Sequence, residues 1–140
     1  MVAVQNGKPE PKNKLVLEYI IHSSPALLFE FITSPSGLSE WFADNVRISP
    51  EKVFTFEWDN GSHKAMMIDH RINHFTIFEF IPETAEDKKD ASFFELRLEL
   101  DELTQTTFLK VTDYSDFEDL AELRDIWSGL VENLKTVIGG

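Results

Sequence analysis

Residues 115–138 read SDFEDLAELRDIWSGLVENLKTVI. Within this stretch Phe117, Leu120, Leu123, Trp127, Leu130, Leu134 and Val137 recur at helical spacing, while Glu118, Glu122, Asp125 and Glu132 fall on the opposite side. Steps of three and four residues place the apolar set on one stripe, which predicts an amphipathic helix of about 22 residues. Ser115 followed three residues later by Glu118 reads as a capping box, and Gly139-Gly140 ends the helix. A stripe this long must be buried against a surface of similar length.

The preceding residues offer that surface. Val46 to Ser49 reads as a short strand. Lys52 to Trp58 then puts Phe54, Phe56 and Trp58 on one face, and Asp59-Asn60-Gly61 is a hairpin signal. His63 to Ile72 and His74 to Ile81 form the next pair, turning near Asn73, and Pro82 to Asp90 is a charged loop. Phe94, Leu96, Leu98 and Leu100 alternate with Glu95, Arg97, Glu99 and Asp101, the pattern of a half-buried antiparallel strand. Thr104 to Tyr114 supplies the last of six strands.

Towards the N-terminus, Lys14 to His22 alternates as a strand, with Leu15, Leu17, Tyr19 and Ile21 in phase. Ser24-Pro25 and Ser34-Pro35 each give an N-cap with proline at the first helical position. Two short helices follow, Ala26 to Thr33 and one ending in Leu38-Ser-Glu-Trp41-Phe42. Residues 1–13 are polar, carry Gly7, Pro9 and Pro11, and read as a disordered leader to a single domain over 14–140. The order is β-α-α-β6-α, an α+β class with a curved antiparallel sheet closed by the final helix.

Composition narrows the function. With 140 residues the chain can bury roughly 70% of its unfolded surface and needs no staple. Thirteen basic residues against 25 acidic ones leave a net charge of −12. That excludes a nucleic-acid partner, whose binding draws on Lys and Arg, and an anionic membrane surface. No apolar run is long enough for a membrane span or signal peptide, and cysteine is absent. A cytoplasmic protein is expected. Twelve phenylalanines and three tryptophans mean the inner layer is either thick or lines a cavity.

The element order, the stretch Ser24-Pro25-Ala-Leu-Leu28-Phe29-Glu-Phe-Ile32-Thr33, the Leu38-x-x-Trp41-Phe42 motif and the Trp127-x-x-Leu130-x-x-x-Leu134 helix carry a family likeness. The chain resembles the START, polyketide-cyclase and Bet v I-like (SRPBCC) superfamily over about residues 14–138. Its nearest branch is the AHSA-type domains, homologues of the activator of the heat-shock ATPase. The resemblance implies a helix-grip fold with an apolar cavity between the sheet and the C-terminal helix. It also implies a lining set of Trp41, Phe42, Trp58, Met66, Phe78, Phe80, Phe94, Trp127 and Leu130.

Catalytic chemistry is sparse. His70 and His74 flank a turn without a helical glutamate between them, so they are no metal pair. The acidic run from Asp113 to Asp119 lacks the glycine and terminal glutamate of a calcium loop; acidic residues there suit a helix N-terminus. Glu18 and Glu57 fall opposite the apolar residues of their strands, whereas Asp69 and Glu79 sit in strands with apolar residues in both phases. No catalytic residue, metal or cofactor is assigned. The resemblance implies a non-catalytic module for a lipid, sterol-like or polyketide-like ligand. Its alternatives are a protein-interaction or co-chaperone-like module with a protein partner or homodimer, and a cyclase-like or aromatase-like enzyme.

Overall fold

Each serine–proline pair starts a helix by the same device. The Ser24 hydroxyl accepts the Leu27 N–H at 3.2 Å and the Ser34 hydroxyl accepts the Gly37 N–H at 2.9 Å, with Pro25 and Pro35 opening α1 (Pro25–Thr33) and α2 (Pro35–Trp41). The computed structural model describes residues 12–83 and 90–139. Strand β1 (Asn13–Ile21) precedes the two helices. After them come β2 (Asn45–Ile48), β3 (Val53–Trp58), β4 (Gly61–Arg71), β5 (Phe75–Phe80), β6 (Phe93–Asp101) and β7 (Thr106–Ser115). Helix α3 (Leu120–Ile138) ends the chain.

The strands form one antiparallel seven-stranded sheet in the order β1-β7-β6-β5-β4-β3-β2. β1 therefore crosses to lie beside β7, with Leu15 opposite Asp113 and Ile21 opposite Thr107. Leu17, Phe56, Phe78, Leu96 and Val111 point to one buried face, and α3 covers it with Leu123, Trp127, Val131 and Leu134. The arrangement is an α+β helix-grip fold, as the sequence order predicts. No helix among the described residues is long and apolar enough to cross a membrane.

Several boundaries differ from the sequence reading, and three of them change how an element is held. Helix α3 starts at Leu120 with Asp119 as its cap, its carboxylate accepting the Glu122 N–H at 3.0 Å. Ser115 is instead the last residue of β7, paired with Asn13, so its backbone is committed to the sheet. Leu120 and Val137 consequently lie at the ends of the covered stripe, at 37% and 39% exposure. Asn13 belongs to β1, and its side-chain amide donates to the Phe117 carbonyl at 3.0 Å. The rest of the expected leader, through residue 11, and residues 84–89 of the charged loop lie outside the described residues.

In β4 the register shifts between Met67 and Asp69. Met67 faces Phe78 and Asp69 faces Ile77, which leaves Ile68 as an extra residue, 53% exposed. A one-residue bulge exchanges the faces of everything beyond it. The exchange leaves Asp69 exposed on the outer side.

Two glycines respond oppositely to a methyl group. A Cβ on Gly37 would stand 2.4 Å from the Glu30 carbonyl oxygen and 2.7 Å from the Phe31 Cα, both backbone atoms. One on Gly129, within α3, meets nothing within 4 Å. Gly37→Ala is expected to cost about 1–3 kcal/mol through overpacking. Gly129→Ala is expected to stabilise by about 0.5–1 kcal/mol through helix propensity. Urea denaturation of the two variants checks both signs.

At the end of β7 the Tyr114 hydroxyl donates to Asp90 Oδ1 at 2.7 Å. That bond is the main reason the phenol is raised above its ordinary value of 10.0. A raised folded value means the interaction stabilises fully below pH 10 and is lost as pH climbs through the folded value. Phenolate absorbance should show a late-titrating component that disappears in Tyr114→Phe and moves down in Asp90→Asn.

Candidate functional site

The three tryptophans are each fixed by their indole N–H. Trp41 donates to the Phe31 carbonyl at 2.8 Å, tying α2 to α1. Trp58, at the end of β3, donates to the Phe42 carbonyl at 2.7 Å. Trp127, in the middle of α3, donates to Asp113 Oδ2 on β7 at 2.7 Å. A buried indole needs such an acceptor, and each bond also sets the angle of its ring.

Phe42, just after α2, is the hub on which these rings meet. Its centroid lies 5.5 Å from Trp41, 5.3 Å from Trp58, 4.9 Å from Phe94 and 5.7 Å from Trp127. Phe94 continues the cluster to Phe78 at 5.2 Å and to Phe80 at 5.8 Å. Leu130 stands on α3 one turn beyond Trp127, packed against the same core. The structure thus brings together every residue of the expected lining set except Met66.

Met66 belongs to the other side of the sheet. Its neighbours in register are Val53 and Glu79, and it is 43% exposed. Ala65 and Met67 take the inner phase, and Met67 packs against the core. Glu57 also lies on the outer face, bridging Arg47 at 2.7 Å.

Phe56 and His63 escaped the sequence reading as site residues. Phe56 is fully buried, 5.1 Å from Phe42 and 5.6 Å from Phe78. The His63 ring lies 5.7 Å from Trp58, because His63 pairs with Phe56 and so shares its face. The alternation through Phe54, Phe56 and Trp58 was the available signal for Phe56. The register of the hairpin, which the sequence leaves open, was needed for His63.

Side chains fill most of the space between sheet and helix. A cleft of about 280 Å³ remains at the rim. Trp41, Phe42, Ala43, Trp58 and Leu130 form its apolar wall, and Ser39, Glu40, Asp44 and Asn133 contribute polar groups. A second cleft of about 270 Å³ on the outer sheet face is lined by Lys14, Val16, Glu95, Arg97, Lys110 and Thr112. Its guanidinium is already engaged, 2.6 Å from Glu95 and 4.5 Å over the Phe75 ring. Among the described residues no group of three or more His, Asp or Glu could hold a metal ion.

Residues 10–140 match the START-like superfamily domain. The chain belongs to that superfamily. No curated protein matches the sequence. Solved structures show where this START-like domain sits by shape. One is the Aha1 dimer from Colwellia psychrerythraea, with TM-score 0.71 and 17% identity, covering 88% of this chain and 93% of that one. Another is protein MLL2253 from Mesorhizobium loti, with TM-score 0.74 and 16% identity, covering 91% and 97%. DynU16, from the dynemicin biosynthetic locus, has TM-score 0.72 and 13% identity and covers 92% of this chain, which spans 48% of its own length. At these identities the likeness is one of fold.

The cluster predicts how this START-like domain fails. Trp127 is 3% exposed and touches both Phe42 and Phe94, so Trp127→Ala should cost about 3–5 kcal/mol. Trp127→Phe keeps most of the ring but leaves the carboxylate without its donor, for about 1–3 kcal/mol. Equilibrium denaturation separates the two, and equal costs would mean the hydrogen bond dominates the packing.

Proposed function

We propose that this START-like domain is a non-catalytic binding module for a small apolar molecule, taken up at the rim cleft between α2, the end of β3 and α3. The observation that carries the reading is the composition of that cleft. Trp41, Phe42, Trp58 and Leu130 line a space of about 280 Å³ together with the polar Ser39, Glu40, Asp44 and Asn133. Ligand sites combine apolar side chains with placed polar groups, and typical volumes begin near 300 Å³. The domain would comprise residues 14–140 and work in the cytoplasm.

A neutral fluorescent probe, N-phenyl-1-naphthylamine, tests the site. Saturable one-site binding to the wild type is expected. Asn133 is exposed on the rim, so Asn133→Trp should cap the cleft without disturbing the fold. Probe affinity should then fall at least tenfold, or about 1.4 kcal/mol. A folded variant that binds as well as the wild type removes the cleft as the site.

A second reading, a protein-interaction module or homodimer, has one specific observation in its favour. The outer side of β1 exposes Val16 and Ile20 at 47% and 48%, and one structural relative is an Aha1 dimer. Light scattering over a concentration series tests it: a constant monomer mass counts against self-association.

A further inference from the structure

The sheet has two edges, and they are built differently. β2, at one end of the strand order, is four residues long, and its Arg47 is tied to Glu57 of β3 at 2.7 Å. β1, at the other end, runs for nine residues without a proline. It pairs with β7 residue for residue from Asn13 to Ile21, so no bulge turns it away. Natural sheets blunt their edges with short strands, prolines or bulges, because a long regular edge offers unpaired N–H and C=O groups to another strand. Among the described residues, no hydrogen bond reaches the β1 backbone between Lys14 and Ile20 on the side away from β7.

The outer face of this edge carries Lys14, Val16, Glu18 and Ile20, all exposed. Lys110 stands opposite Glu18 in register, yet neither the Glu18 carboxylate nor the Lys14 ammonium makes an ion pair among the described residues. The pattern is its own complement. About a two-fold axis through Val16, an antiparallel second copy of β1 sets Lys14 against the second copy's Glu18, Glu18 against its Lys14, and Val16 against its Val16. Shifting the pairing by two residues sets a charge against Val16, and shifting it by four sets Lys14 or Glu18 against itself. An odd shift turns the inner face of one copy outward. Within β1 one register satisfies both charges, and two-fold symmetry makes that charge pair occur twice.

We propose that β1 is the self-association edge of this protein, joining two seven-stranded sheets into one through the Lys14–Val16–Glu18 register. The inference is independent of the ligand-binding reading; it rests on the homodimer reading and deepens it by naming the strand and the register. The net charge of −12 on each copy opposes association of the molecules as a whole, but this edge is locally neutral. Opposite charges facing one another across two strands stabilise the pairing, and like charges there destabilise it.

Sedimentation equilibrium of the full chain tests this at about 0.15 M salt, where exposed charges more than about 8 Å apart are screened. The wild type is expected to pass from 16.1 kDa towards twice that mass as concentration rises to the millimolar range. Lys14→Glu and Glu18→Lys, each alone, bring like charges together at both ends of the register, and each should raise the dimer dissociation constant at least tenfold. Mixed in equal amounts, the two variants should dimerise again, because the glutamates of one copy then meet the lysines of the other. The chain has no cysteine, so Val16→Cys puts a single thiol on the axis. Facing Cα atoms of an antiparallel pair lie about 4.5–5.5 Å apart, within disulfide range. Oxidised Val16→Cys should run as a covalent dimer on a non-reducing gel. Ile20→Cys should not, since its two copies would stand about 26 Å apart at ~3.3 Å per residue. Should either charge variant fail to fold by circular dichroism, the two cysteine variants decide alone. A wild-type dimer that the charge reversals leave intact, a mixture of folded variants that stays monomeric, or equal crosslinking at the two cysteines overturns the assignment and leaves the homodimer reading standing. A wild type that keeps the monomer mass at every concentration overturns both.

Discussion

The seat of Trp127 is the contact on which the rest of the molecule depends. Its ring packs against Phe42 after α2 and Phe94 on β6, and its N–H reaches Asp113 on β7. One side chain therefore joins the closing helix to the helical pair and to the middle of the sheet. Burying an indole removes some 200 Å² from water, roughly 5 kcal/mol at 25 cal/mol per Å². The hydrogen bond adds about 1–3 kcal/mol at most. Burial holds the helix down, and the hydrogen bond decides which way the ring faces.

The same scale explains why the interior is crowded with aromatic rings. A closed void as large as the rim cleft would cost roughly 7 kcal/mol at ~24 cal/mol per Å³, comparable with the whole stability of a typical domain. Phe56 and Phe78, both fully buried, remove that cost from the centre of the sheet. At the rim, where water enters, the space can persist. A helix-grip scaffold without a large permanent occupant is driven towards this distribution of filled centre and open edge.

The element order was legible because its signals are local: the two serine–proline caps, the alternation of β6 and the stripe of α3 each lie within a few turns of chain. The start of α3 was not, because Ser115 satisfies the capping pattern while its backbone belongs to β7. Most of the aromatic set was legible for the same reason as the strands, since Phe78, Phe80 and Phe94 keep strict phase. Met66 was misplaced because its phase follows from the register of the β3–β4 hairpin, which turns Ala65 and Met67 inward and Met66 outward. The polar edge of the cleft joins Ser39 and Asp44 to Asn133, residues far apart in the chain, and no local pattern connects them. The pairing of Asp113 with Trp127 was hidden likewise: an acidic run before a helix already has a sufficient electrostatic reason to exist.

The bulge at Ile68 has a bearing on how this sheet tolerates changes in chain length. β6 and β7 pair one residue to one along their whole shared length, so losing a residue from either would turn part of a buried face outward. β4 carries one residue more than its partner needs. Removing Ile68 would leave Met67 opposite Phe78 and bring the next residue, Asp69, directly into its existing place opposite Ile77. The ladder would become regular with every other partner unchanged. β4 is thus the strand through which a lineage of this fold can shorten by one residue without moving the aromatic wall, giving up only the local twist that a bulge imparts.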